Sequence, residues 1–323
     1  MTKAIRVHAP GGPDALRYEE VEVPAPGAGE IQVRQHAIGV NFIDVYFRTG
    51  AYPAPAPFIL GNEGAGEVVA TGAGVTDFIA GDRIGYAGGL GGYAELRNLP
   101  AAQAVKLPAE ISFEQAAAMM LKGLTAQYLL RQTYKVKAGD TILVHAAAGG
   151  VGTILCQWGK ALGARVIGTV GAADKARVAR DNGADHTILY RNEDFPARVR
   201  EITDGALCQV VYDGVGKATF PASLDCLAPL GMFASFGSAS GPIESFNINL
   251  LAQKGSLFAT RATLFTYIAK RENLDRMAAD LFAVVTSGQV TVPITARYPL
   301  REAAAAHRAL EGRETTGSLI LTP

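Results

Sequence analysis

The 323-residue sequence predicts an α/β protein made of two differently textured parts, a doubly wound parallel sheet and an irregular β-barrel. Two observations carry this: short β-branched runs cut by Gly and Pro over residues 1–122, and regular strand–helix alternation over 123–261. In the first part "KAIRVH", "EIQVRQHAIGV", "AGEVVATG" and "DRIGYAG" are separated by breaks such as "PAPGAGE" and "AYPAPAP". Short strands between turn residues at this density predict a mostly antiparallel barrel.

In the second part "TILVHAA" leads into the amphipathic "VGTILCQWGKALG", with Gly163 as its helix stop. "ARVIGTV" then precedes "DKARVARDNG", "HTILY" precedes "EDFPARVREITDG", and "CQVVYDG" precedes a helical pattern in "KATFPASLDCLAPLG" before "MFASFG". Apolar runs of this kind between helical patterns predict a parallel sheet covered on both faces. The helices "NLDRMAADLFAVVTSG" and "REAAAAHRALEG" flank a late strand pair, "ITARYPL" and "GSLILTP". We expect a split domain, with 1–122 and 262–323 forming the barrel-like part and 123–261 inserted as the α/β part.

Charge and composition narrow the function. Lys+Arg and Asp+Glu both number 30, so nothing points to nucleic acid or an anionic membrane as partner. No apolar run reaches the ~18 residues of a membrane span, and the N-terminal "MTKAIRVHAPGG" does not read as a signal peptide. Three widely spaced cysteines, Cys156, Cys208 and Cys226, read as reduced thiols. The expectation is a cytoplasmic protein.

The strand "TILV" runs into "HAAAGGVG" (145–152). Ala147, Gly149 and Gly152 take the three positions of a dinucleotide fingerprint, with Gly150 in addition. Such a turn brings a pyrophosphate to a helix N-terminus, where unpaired N–H groups and the dipole receive it. Placed between a buried strand and an amphipathic helix, it predicts a Rossmann domain that holds a dinucleotide. At the end of the second strand, where an acid would bind the ribose 2′-hydroxyl of NAD, stand Val170, Gly171, Ala172 and Ala173. Asp174 reads as a helix N-cap. Lys175 and the Tyr190 hydroxyl suit a 2′-phosphate, so NADPH is the expected cofactor. His145 reads as a satisfied strand-end histidine. "FGSASG" carries Ala239 where a nucleophile elbow needs its serine, which removes a hydrolase reading.

The motifs "PAPGAGEIQV" (24–33), "GNEGAGEV" (61–68), "GDRIGY" (81–86) and "HAAAGGVG" resemble the medium-chain dehydrogenase/reductase superfamily. Within it, "NFIDVYFRTGAYP" (41–53), "SFEQAAAMMLKGLTAQYLLR" (112–131) and "SFGSASG" (235–241) resemble the zinc-free quinone oxidoreductases, the zeta-crystallin-like branch. That likeness implies a GroES-like catalytic barrel, reduction of quinones by hydride or electron transfer from NADPH in a cleft between domains, and a homodimer joined through "SLFATRA" (256–262). Zinc-containing relatives carry a Cys and a His at the positions of Asn41 and Asn62, and 84–99 holds no cysteine for a structural zinc. Asn is a poor zinc ligand, so no metal is expected and zinc-assisted alcohol oxidation is excluded.

The resemblance further implies Asn41 and Tyr46 as polar groups at the nicotinamide and acceptor oxygen, with Tyr52 and Arg261 in support. Phe42, Leu121 and Phe265 would form an apolar wall, and "YDGVG" (212–216) would line the same site. Asp44 and Arg48 are expected to pair with each other, one helical turn apart. Cofactor contacts carried over by position are Asn41, Thr125, Gly149, Gly150, Val151, Gly152, Gly171, Lys175, Tyr190, Phe236, Ser238, Arg261 and Arg313. Two alternatives stay open: an NADPH-dependent reductase of α,β-unsaturated carbonyls, and an NADPH-binding structural or regulatory protein with little turnover.

Overall fold

The computed structural model describes residues 1–312 and 315–323. They form two compact units. One comprises Met1–Leu124, Tyr267–Thr286 and Val292–Pro323; the other comprises Thr125–Thr266 and Ser287–Thr291.

The first unit is built around one long strand. β1 (Thr2–Val7) and β2 (Leu16–Val21) pair antiparallel, and β3 (Glu30–Val40) runs into α1 (Phe42–Thr49). β4 (Phe58–Ile59) returns to β1, while β5 (Glu63–Thr71), β6 (Arg83–Ala87), β7 (Leu96–Pro100) and β8 (Ala104–Lys106) extend the sheet around β3. α2 (Phe113–Tyr128) follows. In β3, Ile31, Val33 and Ala37 point inward while Arg34 and His36 stay exposed, the period-two pattern of a half-buried strand. From Ala37 to Val40 every residue is buried, because the second face is also covered: a Cβ on Gly39 would lie 2.4 Å from the Ala117 carbonyl of α2. One core gathers Ile31, Val33, Val68, Ile84 and Leu99. Each such side chain contributes about 1.5–3 kcal/mol by leaving water.

The second unit alternates strand and helix: β9 (Thr141–His145), α3 (Gly150–Ala161), β10 (Arg165–Val170), α4 (Ala173–Asp181), β11 (His186–Leu189), α5 (Phe195–Ile202) and β12 (Cys208–Asp213). β13 (Leu227–Ser235), α6 (Asn249–Gln253) and β14 (Phe258–Arg261) complete it. All strands pair in parallel, in the order β11-β10-β9-β12-β13-β14. This is the order of a Rossmann sheet, whose direction of winding reverses between β9 and β12. Gly163, with φ +84, ends the first helix as its sequence predicts. The helix expected in "KATFPASLDCLAPLG" is not there. Only a 3-10 turn, Ala222–Cys226, forms before β13 begins at Leu227. Pro221 and Pro229 lack the N–H a helix needs, and pairing of Leu227 with Cys208 draws the chain into the sheet.

α7 (Leu264–Tyr267) and α8 (Arg271–Thr286) lead to β15 (Ile294–Pro299), α9 (Ala303–Glu311) and β16 (Ser318–Thr322). β16 pairs antiparallel with β3, Leu319 facing Val40, and parallel with β15. Leu319 and Leu321 share a core with Ile5, Val7, Ile38 and Leu60. No helix of the described residues is long and apolar enough to cross a membrane.

Candidate functional site

In the second unit the glycine turn is shaped by close backbone approach. Gly149, a cap residue with no side chain, precedes α3, whose first residues are Gly150, Val151 and Gly152. The first N–H groups of a helix have no partner within it and are open to an anion. A Cβ on Gly152 would sit 2.3 Å from the Ala146 carbonyl, so only glycine lets α3 press this close to the turn. Ala147, in place of the first fingerprint glycine, is fully buried. Its methyl fits because β10 opposes it with Gly168, where a Cβ would lie 2.7 Å away.

At the end of β10 the backbone is bare. A Cβ on Gly171 would lie 3.3 Å from both the Tyr190 hydroxyl and Arg191 Nε. Tyr190 directly follows the neighbouring strand β11, and Lys175 sits in the first turn of α4. Asp174 is not the cap of that helix. Ala172 is the cap residue and Asp174 is an exposed first-turn acid, because the helix starts two residues earlier than its sequence implied. Arg191 was missed in the sequence. Its signal is the dipeptide "YR" ending a strand, where either residue can face a phosphate.

The loops after β12 and β13 are laced together. Asp213, fully buried, accepts from Val215 N at 2.7 Å, Gly216 N at 3.0 Å and Thr219 Oγ1 at 2.7 Å. Phe236 N donates to Asp213 O at 2.8 Å, and Ser240 N to Val215 O at 2.8 Å. Phe236 and Ser238 are thus held beside the turn Gly214–Gly216. Arg261 ends β14, exposed, with one guanidinium nitrogen on Ala262 O at 3.0 Å. Thr125 is buried near the end of α2. Arg313 lies outside the described residues. His145 bridges Thr169 Oγ1 at 2.8 Å and Ser223 Oγ at 2.9 Å, and burial holds its pKa down, so it is a satisfied neutral histidine. Burial pushes the thiols of Cys156 and Cys208 up to about 12 and that of Cys226 higher still, so none is a nucleophile.

The first unit brings Asn41, Phe42, Tyr46 and Tyr52 together on and beside α1. Tyr46 packs on Tyr52 with ring centroids 5.2 Å apart and on Phe42 at 6.4 Å, and Tyr52 N donates to Tyr46 O at 3.0 Å. Asn41 caps α1, and Asp44 Oδ2 accepts from its backbone N at 2.9 Å. The two carboxamides each rest on a buried carboxylate. Asn41 Nδ2 donates to Glu63 Oε2 at 2.7 Å, and Asn62 Nδ2 to Asp44 Oδ1 at 2.8 Å.

The expected Asp44–Arg48 pair does not form. Asp44 is taken up by Asn41, Asn62 and the Tyr93 hydroxyl at 3.1 Å. Arg48 instead makes a bidentate pair with Glu311, both contacts 2.7 Å, and reaches His307 Nδ1 at 3.0 Å. His307 Nε2 meets the Tyr93 hydroxyl at 3.0 Å. Since Arg48 can only donate, His307 Nδ1 accepts and Nε2 carries the proton. Burial, with the Arg48 charge, lowers His307 to about 3; burial raises Asp44 to about 6, against the hydrogen bonds that favour its ionised form. Arg48 is drawn off by partners far along the chain, and Asp44 by its own helix cap together with Asn62 and Tyr93.

Two domain families match the chain. The alcohol dehydrogenase GroES-like domain matches residues 27–109, and the zinc-binding dehydrogenase domain matches 150–279. The chain is 54% identical over 325 residues to quinone oxidoreductase of Pseudomonas aeruginosa, covering all of both chains. It is 46% identical over 332 residues to 2-haloacrylate reductase of a Burkholderia species, covering all of this chain and 99% of that one. The crystal structure of Escherichia coli quinone oxidoreductase complexed with NADPH superposes with a TM-score of 0.98 at 50% identity, over 99% of this chain and 100% of that one. Fold and turn thus define a medium-chain dehydrogenase/reductase. The chain belongs to the quinone oxidoreductase family of that superfamily.

The zinc that the second domain's description implies does not fit these residues. The two ligand positions hold carboxamides whose NH2 groups are committed to Glu63 and Asp44. Among the described residues, no group of three or more His, Cys, Asp or Glu could hold a metal.

Proposed function

We propose that this protein reduces quinones with NADPH, without a metal. The observation that carries this reading is the bare end of β10, where glycine takes the place of an acid and the Tyr190 hydroxyl and Arg191 converge. With Lys175 in the first turn of α4, these groups fit a ribose 2′-phosphate by charge-assisted hydrogen bonds. The turn Gly149–Gly152 would take the pyrophosphate on the N–H groups of α3, and Gly171, Phe236, Ser238, Thr125, Arg261 and Arg313 would complete the contacts.

NADPH, when bound, supplies hydride; a quinone accepts it together with a proton and leaves as hydroquinone. The chain's own residues position the acceptor and steady its developing oxygen charge. Asn41 and Tyr46 would do so, with Tyr52 behind Tyr46 fixing its ring and Arg261 as a further cation. Phe42, Leu121 and Phe265 would exclude water.

The test is NADPH oxidation by chelator-treated protein against 1,4-benzoquinone, an enone panel, and simple alcohols with NADP. Quinone turnover that survives chelation is the expected result; loss on chelation would overturn it. A second reading, reduction of electron-poor carbon–carbon double bonds, is favoured by the likeness to 2-haloacrylate reductase. Turnover confined to the enones would establish it instead. Bound NADPH without turnover on any acceptor would leave a structural or regulatory role.

The assembly we propose is a homodimer joined through β14, the last strand of the parallel sheet, whose Phe258 is 56% exposed. An open strand edge with an exposed aromatic calls for a cover. Light scattering should give twice the 33.8 kDa chain mass; a monomer at micromolar concentration would exclude it. Three free, buried cysteines suit a reducing compartment, and we assign the protein to the cytoplasm.

A further inference from the structure

We infer that Glu63, with Lys122 as its counter-charge, is a positioning residue that sets the direction in which the Asn41 carboxamide faces. The inference rests on the reading of Asn41 given above. Glu63 stands at the start of β5, Asn41 directly after β3 as the cap of α1, and Lys122 in α2. The carboxylate is fully buried, and the Lys122 side chain is only 7% exposed. Oε2 accepts from Asn41 Nδ2 at 2.7 Å and from Lys122 Nζ at 3.1 Å; Oε1 accepts from the backbone N–H of Leu121 at 2.7 Å. One side chain therefore ties together the strand that runs into Asn41 and the helix that carries Leu121.

The geometry is built for this. A Cβ on Gly39 would stand 2.1 Å from Glu63 Oε2, so β3 is cut away where the carboxylate must lie. Stability alone does not account for the pair. Burying two charges costs about what their attraction returns, and well-packed apolar residues of similar volume often serve as well. What an ionised carboxylate supplies that an apolar group cannot is one-way chemistry, since it only accepts. Asn41 must therefore turn its NH2 end to Glu63, and its carbonyl oxygen is fixed at the other end. A glutamine at 63 would offer one acceptor oxygen to three donors and could present its own NH2, so the amide of Asn41 would lose its fixed sense. Lys122 Nζ, 3.1 Å from Oε2, holds the carboxylate aimed.

The experiment is a double-mutant cycle on kcat with NADPH and 1,4-benzoquinone, using the wild type, N41A, E63Q and N41A/E63Q, with thermal melts on each. A misdirected group near the reacting atoms costs on the order of 10- to 100-fold in rate, and E63Q should lose kcat in that range. In the N41A background E63Q should have no further effect, because the group it directs is gone. Lys122→Arg should hold the wild-type kcat, and Lys122→Met should lose it. Additive losses in N41A/E63Q, or a wild-type kcat in E63Q, would overturn the positioning role while leaving the reading of Asn41 intact. A wild-type kcat in N41A would overturn that reading and the positioning role with it. Should E63Q fail to fold, the same cycle run with Lys122→Met decides, and a wild-type kcat in that variant overturns the proposal.

Discussion

The glycine turn of the second unit and the carboxylate cluster of the first solve opposite problems. The turn is one contiguous stretch, 145–152, and it works through what its residues lack. A Cβ at Gly152 would stand 2.3 Å from the Ala146 carbonyl, so its absence lets α3 close on the turn, and N–H groups are left for a ligand. The cluster works through what its residues carry. Asn41, Asp44, Asn62, Glu63, Tyr93 and Lys122 come from α1 and its cap, β5 and the residue before it, a loop and α2, and both carboxylates are matched to side-chain donors. A backbone site depends on one local shape, whereas a buried side-chain site depends on every partner being present, because an unpaired polar group left behind is expensive.

The sharpest way to break the comparison is at the turn. Gly152→Val should abolish NADPH binding or the fold of the second unit, since its side chain would have to enter the backbone of the turn. Fluorescence titration with NADPH and a circular dichroism melt would show this; tight binding by that variant would mean the turn is not where the cofactor sits.

The next effect belongs to the cluster. Arg48→Met removes the bidentate pair with Glu311 and the donor to His307 Nδ1. Breaking a buried pair costs about 3–5 kcal/mol, and because Glu311 is one-third exposed the lower end is expected. Urea denaturation measures it, and a loss within experimental error would show that Arg48 is no anchor for α9.

A smaller change is expected from Lys175→Ala. Hydrogen bonds to charged groups contribute about 1.5–3 kcal/mol, so the NADPH-over-NADH preference in kcat/KM should fall by about tenfold or more, with Arg191→Ala acting in the same direction. An unchanged preference in both variants would remove the 2′-phosphate assignment.

The mildest effect lies in the pH dependence of stability. His307 falls from 6.5 to about 3 in the fold, so as pH drops below 6.5 the unfolded chain takes up the proton first. Its contribution is whole above that pH and is lost progressively toward 3. Asp44 opposes it. Its carboxyl rises from 3.8 to about 6, so between those values the folded state holds the extra proton and gains as pH falls. The His307 shift is the larger, and melting temperature should decline from pH 6.5 to 4. In His307→Gln the slope should flatten or reverse; an unchanged slope would mean another group governs acid stability.

The legible parts of the molecule are those whose cause is local. Strand–helix alternation placed the Rossmann sheet, and Gly149, Gly152, Gly171 and Lys175 were named from spacing alone. The helix expected in 217–231 failed because two prolines and a strand partner outweighed the apolar pattern. Asp174 was misplaced because the helix starts two residues earlier than its sequence implied, and Arg191 went unseen because its nearness to Gly171 depends on an adjacent strand end. Asp44 and Arg48 satisfied the helical spacing of a pair, yet each found a stronger partner elsewhere.

The amino-acid order by itself determined the fold class, the glycine turn, the absence of an acid at the end of β10 and the carboxamides at 41 and 62, because each is a matter of residue type at a local position. Only the tertiary structure decided which buried charge meets which: Arg48 with Glu311, Glu63 with Lys122 and Asn41, and Asp44 with Asn62 and Tyr93. Those choices follow from long-range packing, where partners hundreds of positions apart, as Arg48 and Glu311 are, compete with near neighbours for the same side chain. A buried charge settles on the partners that satisfy the most of its hydrogen bonds, wherever in the chain they come from.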